Sequence, residues 1–293
     1  MTAVLARGAE RPYPRGAQAP RSAGAIGDKA VSCLLSELET WPKPGLVSHV
    51  DNGSHDDMDA DTFRKSASAI KPYFQHLADA AVGGCSMGRL RIIGRDAEEA
   101  MLAATSGVNT HRGAIFGLGL LCAAAGARAG GLVDPTLPLG GVVVRLWGGG
   151  ILDGPAPLHS HGSAARRRFH AGGARVEAAR GFPSVYQVGL PALRSAGRAV
   201  PDDPEAARVE ACFALIASVE DTNLLHRGGL EGLHFARRAT GRFLDEGGVR
   251  RAGWRARAQT IHEDFVIRRL SPGGSADLLA MTLFVDACEK PHP

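Results

Sequence analysis

The chain lacks several things, and each lack excludes a class of protein. No run of eighteen apolar residues occurs in its 293 residues, so no membrane-spanning helix is expected. The first stretch, MTAVLARGAERPYPRGAQAPRSAG, has no apolar segment of the kind that directs secretion. It reads as a disordered leader over residues 1–24. The five cysteines, Cys33, Cys85, Cys122, Cys212 and Cys288, are odd in number and nowhere close in sequence. Neither a disulfide framework nor a zinc motif is visible, and a reducing cytoplasm is the implied compartment. Cys122 and Cys212 lie in apolar helical stretches and read as small buried hydrophobes. Lysine is scarce among the 34 basic residues, and the net charge is only +4. So mild a balance does not mark a nucleic-acid binder, although it suits small anionic ligands.

What is present is a helical pattern broken by polar, glycine-rich loops. Ile26, Ala30, Leu34 and Leu38 follow helical spacing over 26–40, and Pro42 and Pro44 stop that helix. After the loop KPGLVSHVDNGSHDDMD, Asp59 or Asp61 caps a helix. Its face is Phe63, Ala67, Ile70, Phe74, Leu77 and Ala81, and Pro72 should kink it. Further helices are read over 91–105, 111–129, 204–221, 222–246 and 254–269, and SPGGSADLLAMTLFVDACE reads as a turn entering a helix. Gly113, Gly117 and Gly119 cost helix propensity, which implies close helix packing or close approach of a ligand. GGVVVRLWGGG reads locally as a strand, with a glycine-weakened helix as the rival. The fold class that follows is all-α: one helical-bundle-like domain over 25–289, with polar loops forming a nucleotide pocket.

The sequence His-Arg-Gly occurs twice, in VNTHRGA and TNLLHRGG. Composition predicts about 0.1–0.2 occurrences by chance, so both are worth weighing. The first opens a helix, where free N–H groups bind anions and Arg112 adds a planar fork; Asn109 and Thr110 either cap that helix or bind a ligand. In the second, His226-Arg227-Gly228 follows Asn223 by one helical turn, so the likeness is chemical rather than a repeat. DNGSHDDMD sets His55 among Asp51, Asp56, Asp57 and Asp59, as a cation-binding loop or a solvated acidic one. Glu98 lies on the apolar stripe of its helix and Glu99 does not, so Glu98 must be paired, metal-bound or protonated. In SPGGSADLL, Ser275 and Asp277 either cap a helix or, with Gly273 and Gly274, meet a phosphate through a cation. HSHG at 159–162, the Arg166–Arg168 run, Arg175 and Glu177 extend the polar set. Five such loops in one helical chain suggest a pocket for a phosphorylated ligand with a divalent metal.

KPGLVSHVDNGSHDDMD, AMLAATSGVNTHRGAIFGLGLL, SHG, GARVEAARGFPSV, DTNLLHRGG and SPGGSADLLA, in this order, resemble the triphosphoribosyl-dephospho-CoA synthases of citrate lyase and malonate decarboxylase, the latter more closely. The resemblance covers residues 27–288 or so and departs from the usual pattern at Phe169-His170 and over 140–150. It implies an all-helical cytoplasmic enzyme, which favours helix over 131–154. That enzyme joins ATP to 3′-dephospho-CoA, releases adenine and makes the precursor of a carrier protein's prosthetic group, which passes to a carrier-protein transferase; a homodimer is also open. Chemistry at the ribosyl carbon needs carboxylates, a base for the hydroxyl and a proton for adenine, and the triphosphate needs Mg²⁺ and arginine.

On that reading Asp56, Asp57, Glu98 and Asp221 serve as metal ligands or general base, with His55 as an alternative base. Asp57, Glu98, Asp221 and Asp277 are the metal candidates. Lys43, Asn109, Thr110, His111, Arg112, Arg175, Asn223, His226, Arg227, Gly228, Ser271, Gly273 and Gly274 are expected to hold substrate. The rival readings are a helical metal-dependent nucleotide phosphohydrolase and a non-catalytic nucleotide-binding accessory protein.

Overall fold

The computed structural model describes residues 22–154 and 173–289, and within them the chain is helical with no strand. The readings at His159, His161, Arg166–Arg168 and Phe169-His170 lie outside the described residues. Helix α1 (Ala23–Leu38) starts on the Ser22 hydroxyl and buries Ile26, Ala30, Leu34 and Leu38, as the spacing predicts. Helix α2 (Ala60–Val82) is capped by Asp59, which accepts from Thr62 N at 2.8 Å; Asp61 is not the cap. It runs on through Pro72, which sits on its exposed side. Helix α3 (Met87–Ala104) buries Leu90, Ile93, Ala97 and Met101.

Helix α4 (Arg112–Ala129) is apolar nearly all round, the mark of a central helix. It packs against α1, α2 and α3, and against three later helices. Its glycines are there for packing. A Cβ at Gly126 would overlap the Ala78 backbone of α2, and one at Gly117 would overlap Met281.

The next element corrects the local strand reading. Residues Leu139–Asp153 form helix α5, with Leu139, Val142, Val143, Trp147 and Ile151 buried. Those spacings are helical, and burial of that face against α4 overrides the β-propensity of three valines. Helix α6 (Gly173–Ala179) and a π-turn (Val185–Gly189) lead to α7 (Leu190–Ala199). The sequence reading missed α7, although Leu190, Leu193 and Ala196 show its period and Pro191 sits in its first turn.

Helix α8 (Pro204–Ser218) is a second largely buried helix, and α7 and α9 pack on it. It ends at Ser218 rather than at 221. Helix α9 (Thr222–Asp245) is interrupted at Gly229, where φ is 60° and ψ −158°. A short α10 (Trp254–Ile267) follows a 3₁₀ turn, and α11 (Gly273–Glu289) packs on both α4 and α8. One hydrophobic core therefore joins the two groups of helices.

Candidate active site

The N-termini of α4, α9 and α11 open onto one cavity of about 1470 Å³, bounded among others by Arg112, Gly113, Asn223, Gly273 and Gly274. Three helix ends pointing into one space concentrate positive potential there, which suits a polyanion. Both His-Arg-Gly stretches reach this cavity through His111, Arg112, His226 and Arg227, so the two arginines share one pocket.

The helix ends are held together by two aspartates. Asp221 is 1% exposed. Its Oδ1 accepts from Asn223 N (2.9 Å) and Leu224 N (3.4 Å), and its Oδ2 from Ser275 N (2.7 Å) and Ser275 Oγ (2.9 Å). Burial pushes this carboxyl up, and those four donors pull it back. A carboxylate offers about four acceptor positions. All are taken, so Asp221 is a double cap for α9 and α11 rather than the metal ligand or base expected of it. Gly274 packs directly on it, and Gly273 on Asn223.

Asp277 lies one turn into α11, against the start of α4. A Cβ at Gly113 would overlap its carboxylate, and only the Ala114 N–H favours its charge. Burial, with Glu37 and Asp221 nearby, holds its carboxyl well above the usual range. Beside it on the cavity wall, Glu98 accepts from Arg112 Nε at 2.9 Å. Pairing is one of the three fates its position on the apolar stripe allowed. The Arg112 N–H is bound by Asn109 Oδ1 at 3.2 Å, so Asn109 caps α4.

Two buried charges behave differently from the sequence reading. Lys43 is fully buried, bonded to Glu37 Oε1 and to Glu37 O (2.7 Å), and does not border the cavity. It cannot touch substrate; it neutralises Glu37, which does border the cavity. Glu37 was missed, yet it lies on the buried stripe of α1 with Leu34 and Leu38, the same signal that singled out Glu98.

The acidic loop disperses its side chains. Asp51 meets the His262 ring at 3.2 Å and accepts from Trp41 Nε1 at 3.2 Å. Asp56 is exposed, paired with Arg269, and is not among the residues that line the cavity. Asp57 borders the cavity, exposed, 3.5 Å from His55 Nδ1. His55 is locked: Arg227 donates to Nδ1 (3.1 Å), so Nε2 carries the proton toward Ser271 Oγ (2.9 Å). Burial and the Arg227 charge lower its basicity, and with Nδ1 occupied it is no free base. Arg227 also donates to the Ser54 (3.0 Å) and Arg269 (3.2 Å) carbonyls.

Arg175 donates to the Ile151 (3.0 Å), Leu152 (2.7 Å) and Gly154 (2.7 Å) carbonyls and so caps the C-terminus of α5. Gly228 lies off the cavity and packs on Leu270. Among the described residues no three His, Cys, Asp or Glu side chains converge to hold a metal, so the expected set Asp57, Glu98, Asp221 and Asp277 is not gathered into one cluster. Among the described residues no helix is long and apolar enough to cross a membrane.

A family profile described as ATP:dephospho-CoA triphosphoribosyl transferase matches residues 23–293. A probable 2-(5''-triphosphoribosyl)-3'-dephosphocoenzyme-A synthase of Stutzerimonas stutzeri (strain A1501) is 40% identical over 298 residues, 98% of this chain and 96% of that protein. Proteins of the same name from Pseudomonas fluorescens (strain Pf0-1) and Azotobacter vinelandii (strain DJ) are each 40% identical. They cover 90% and 92% of this chain, and 92% and 93% of their own lengths. No solved structure matches the chain.

Proposed function

The chain belongs to the ATP:dephospho-CoA triphosphoribosyl transferase family, and from that premise we propose how its cavity performs the transfer. The activity is that of a triphosphoribosyl-dephospho-CoA synthase: the 2′-hydroxyl of 3′-dephospho-CoA displaces adenine from C1 of the ATP ribose, and the triphosphate stays on the sugar. The observation that carries the structural reading is the convergence of three helix N-termini and both His-Arg-Gly stretches on one cavity of about 1470 Å³. That exceeds the 300–1,000 Å³ or so usual for one small ligand and suits two nucleotides together.

Arg112, Arg227, His111 and the glycines Gly273 and Gly274 receive the triphosphate and the dephospho-CoA phosphates. Magnesium enters as part of the ATP substrate, because a triphosphate-bound ion needs only one or two carboxylates beside it. Asp57 stands on the cavity wall for that purpose.

Two carboxyl groups flank the adjacent residues Arg112 and Gly113, in opposite environments. Such pairs divide acid and base work. Asp277, half-buried with its carboxyl pushed above the usual range, gives a proton to the departing adenine. Glu98, a carboxylate against Arg112, takes the proton of the attacking hydroxyl. One proton leaves the hydroxyl and one reaches adenine, so the step balances. Both carboxyls also face the positive charge that develops at the ribosyl carbon. The product is released toward a carrier-protein transferase, with malonate decarboxylase as the destination.

Incubation with ATP, Mg²⁺ and dephospho-CoA should give free adenine and the heavier CoA product by mass spectrometry. Phosphate in place of adenine would favour a phosphohydrolase, and binding without turnover an accessory role. Removing one acid–base group costs roughly 10²–10⁴-fold, so Asp277→Asn should lose at least about 100-fold in kcat. Glu98→Gln should fall by a similar factor; near wild-type turnover in both would remove these roles.

A further inference from the structure

His111 has a partner that the reading above leaves out. Ser66, on α2, is completely buried, and a buried hydroxyl is costly unless bonded. A helical serine usually returns its proton to its own helix, four residues back. The Ser66 hydroxyl instead lies 2.6 Å from His111 Nδ1, and the Thr110 hydroxyl donates to Ser66 Oγ at 2.7 Å. A hydroxyl has one proton. Thr110 donating to Ser66 and Ser66 donating to Nδ1 uses both hydroxyl protons within the chain of contacts. In that direction Nδ1 is the acceptor, and the ring's own proton is on Nε2.

The ring cannot turn away. Phe63 meets it edge to face at 5.0 Å, and the His111 backbone N–H points at Met101 Sδ, 3.2 Å away. Nor does it charge: burial and the Lys43 charge hold His111 down to about 3. Among the described residues Nε2 has no hydrogen-bond partner. Yet among the described residues the only fully enclosed unpartnered side-chain atoms are Arg237 Nε and Arg257 Nε. So Nε2 reaches open space, and His111 borders the cavity beside Arg112.

We propose that Ser66 is a positioning residue: with Thr110 it fixes His111 as the neutral Nε2–H tautomer, which presents a hydrogen-bond donor to an oxygen of the ATP triphosphate. This rests on the cavity holding ATP as described above. A neutral donor is useful at that point because it adds direction without adding charge to a wall already carrying Arg112 and three helix ends. The other tautomer would turn a lone pair toward a polyanion.

Histidine ¹⁵N NMR of the full chain, with His111→Gln to assign the signal, reads the tautomer directly. ATP titration calorimetry reads the donor, and adenine release is assayed separately. Wild type should show a neutral Nε2–H ring between about pH 6 and 8. Ser66→Ala should give mixed tautomers and weaken ATP binding about tenfold, since a hydrogen bond to a charged group is lost. Ser66→Thr should restore both, and Thr110→Val should act in the same direction by about threefold. Thr110→Val touches only the outer end of the chain, so it tests the idea if Ser66→Ala loses its circular dichroism.

An Nδ1–H ring or an imidazolium in wild type at neutral pH would overturn the proposal. So would unchanged ATP affinity in a folded Ser66→Ala. Absence of adenine release with a correct tautomer and an ATP affinity that depends on Ser66 would overturn the transferase mechanism and leave this assignment standing.

Discussion

The two His-Arg-Gly stretches share three letters and almost nothing else. At 111–113 the histidine is inside, 4% exposed, uncharged and bonded to a buried serine. At 226–228 the histidine and arginine are exposed at the rim. Arg112 pairs with a carboxylate of the cavity wall, whereas Arg227 pins the loop carbonyls of Ser54 and Arg269 and the ring of His55. Gly113 makes room for a carboxylate, Asp277; Gly228 makes room for a leucine, Leu270. The next residue differs too. Gly229 takes a left-handed φ of 60° and breaks α9, while Ala114 continues α4 without a break. The difference teaches that a short motif specifies steric and hydrogen-bonding abilities, and that its neighbours choose which of them is used.

Substituting the glycines is the strongest way to break the comparison. Gly113→Ala drives a methyl into the Asp277 carboxylate and should lower kcat by about 100-fold or more, the size of losing a proton donor. Gly228→Ala meets only the flexible end of Leu270 and should cost about 1 kcal/mol of stability or less, with adenine release retained. Equal losses in the two variants would erase the distinction.

Next comes the double cap that ties the two regions together. Asp221→Asn replaces acceptors with an NH₂ facing the Ser275 or Asn223 N–H, and should destabilise by roughly 2–3 kcal/mol in denaturant titration. A normal midpoint would show that the four bonds do not hold α9 to α11.

The arginines should then separate affinity from stability. Arg112→Ala should raise KM for ATP about tenfold. Arg227→Ala should lower stability by about 1 kcal/mol through its lost carbonyl contacts, with a smaller KM change. The reverse pattern would exchange their roles.

The remaining test is an acid limb. The folded value of His111, about 3, lies below its unfolded value near 6.5, so its stabilising contribution is complete above about pH 6.5. It is lost as pH falls through the window from 6.5 toward 3, because the unfolded chain takes up a proton that the buried ring refuses. His111→Gln should flatten that part of the stability profile.

Much of the fold was legible. Period-3.6 stripes placed α1, α2, α3, α4 and the helices after α7, because burial of one face leaves its record in neighbouring residues. Three elements escaped the local pattern. The valines of α5 carry a local β signal that only packing against α4 overrides, and there the family resemblance alone favoured helix; α6 lies within a stretch read as a polar loop; and α7 is short enough for its stripe of Leu190, Leu193 and Ala196 to pass unnoticed.

The site was legible as an inventory. Glu98, Asn109, Arg112, Asn223, Arg227, Gly273, Gly274 and Asp277 do border one cavity. Their division of labour was not visible, and neither were Glu37 and Ser66. What the sequence determined by itself was the helices and the kind of groups available. The tertiary structure decided which of those groups are spent on the protein and which remain for a ligand. Asp221 is consumed by Ser275, 54 positions away, and His111 by Ser66, 45 positions away. Helical period is a property of neighbours, whereas burial and hydrogen-bond partnership depend on elements that meet only after the core has formed.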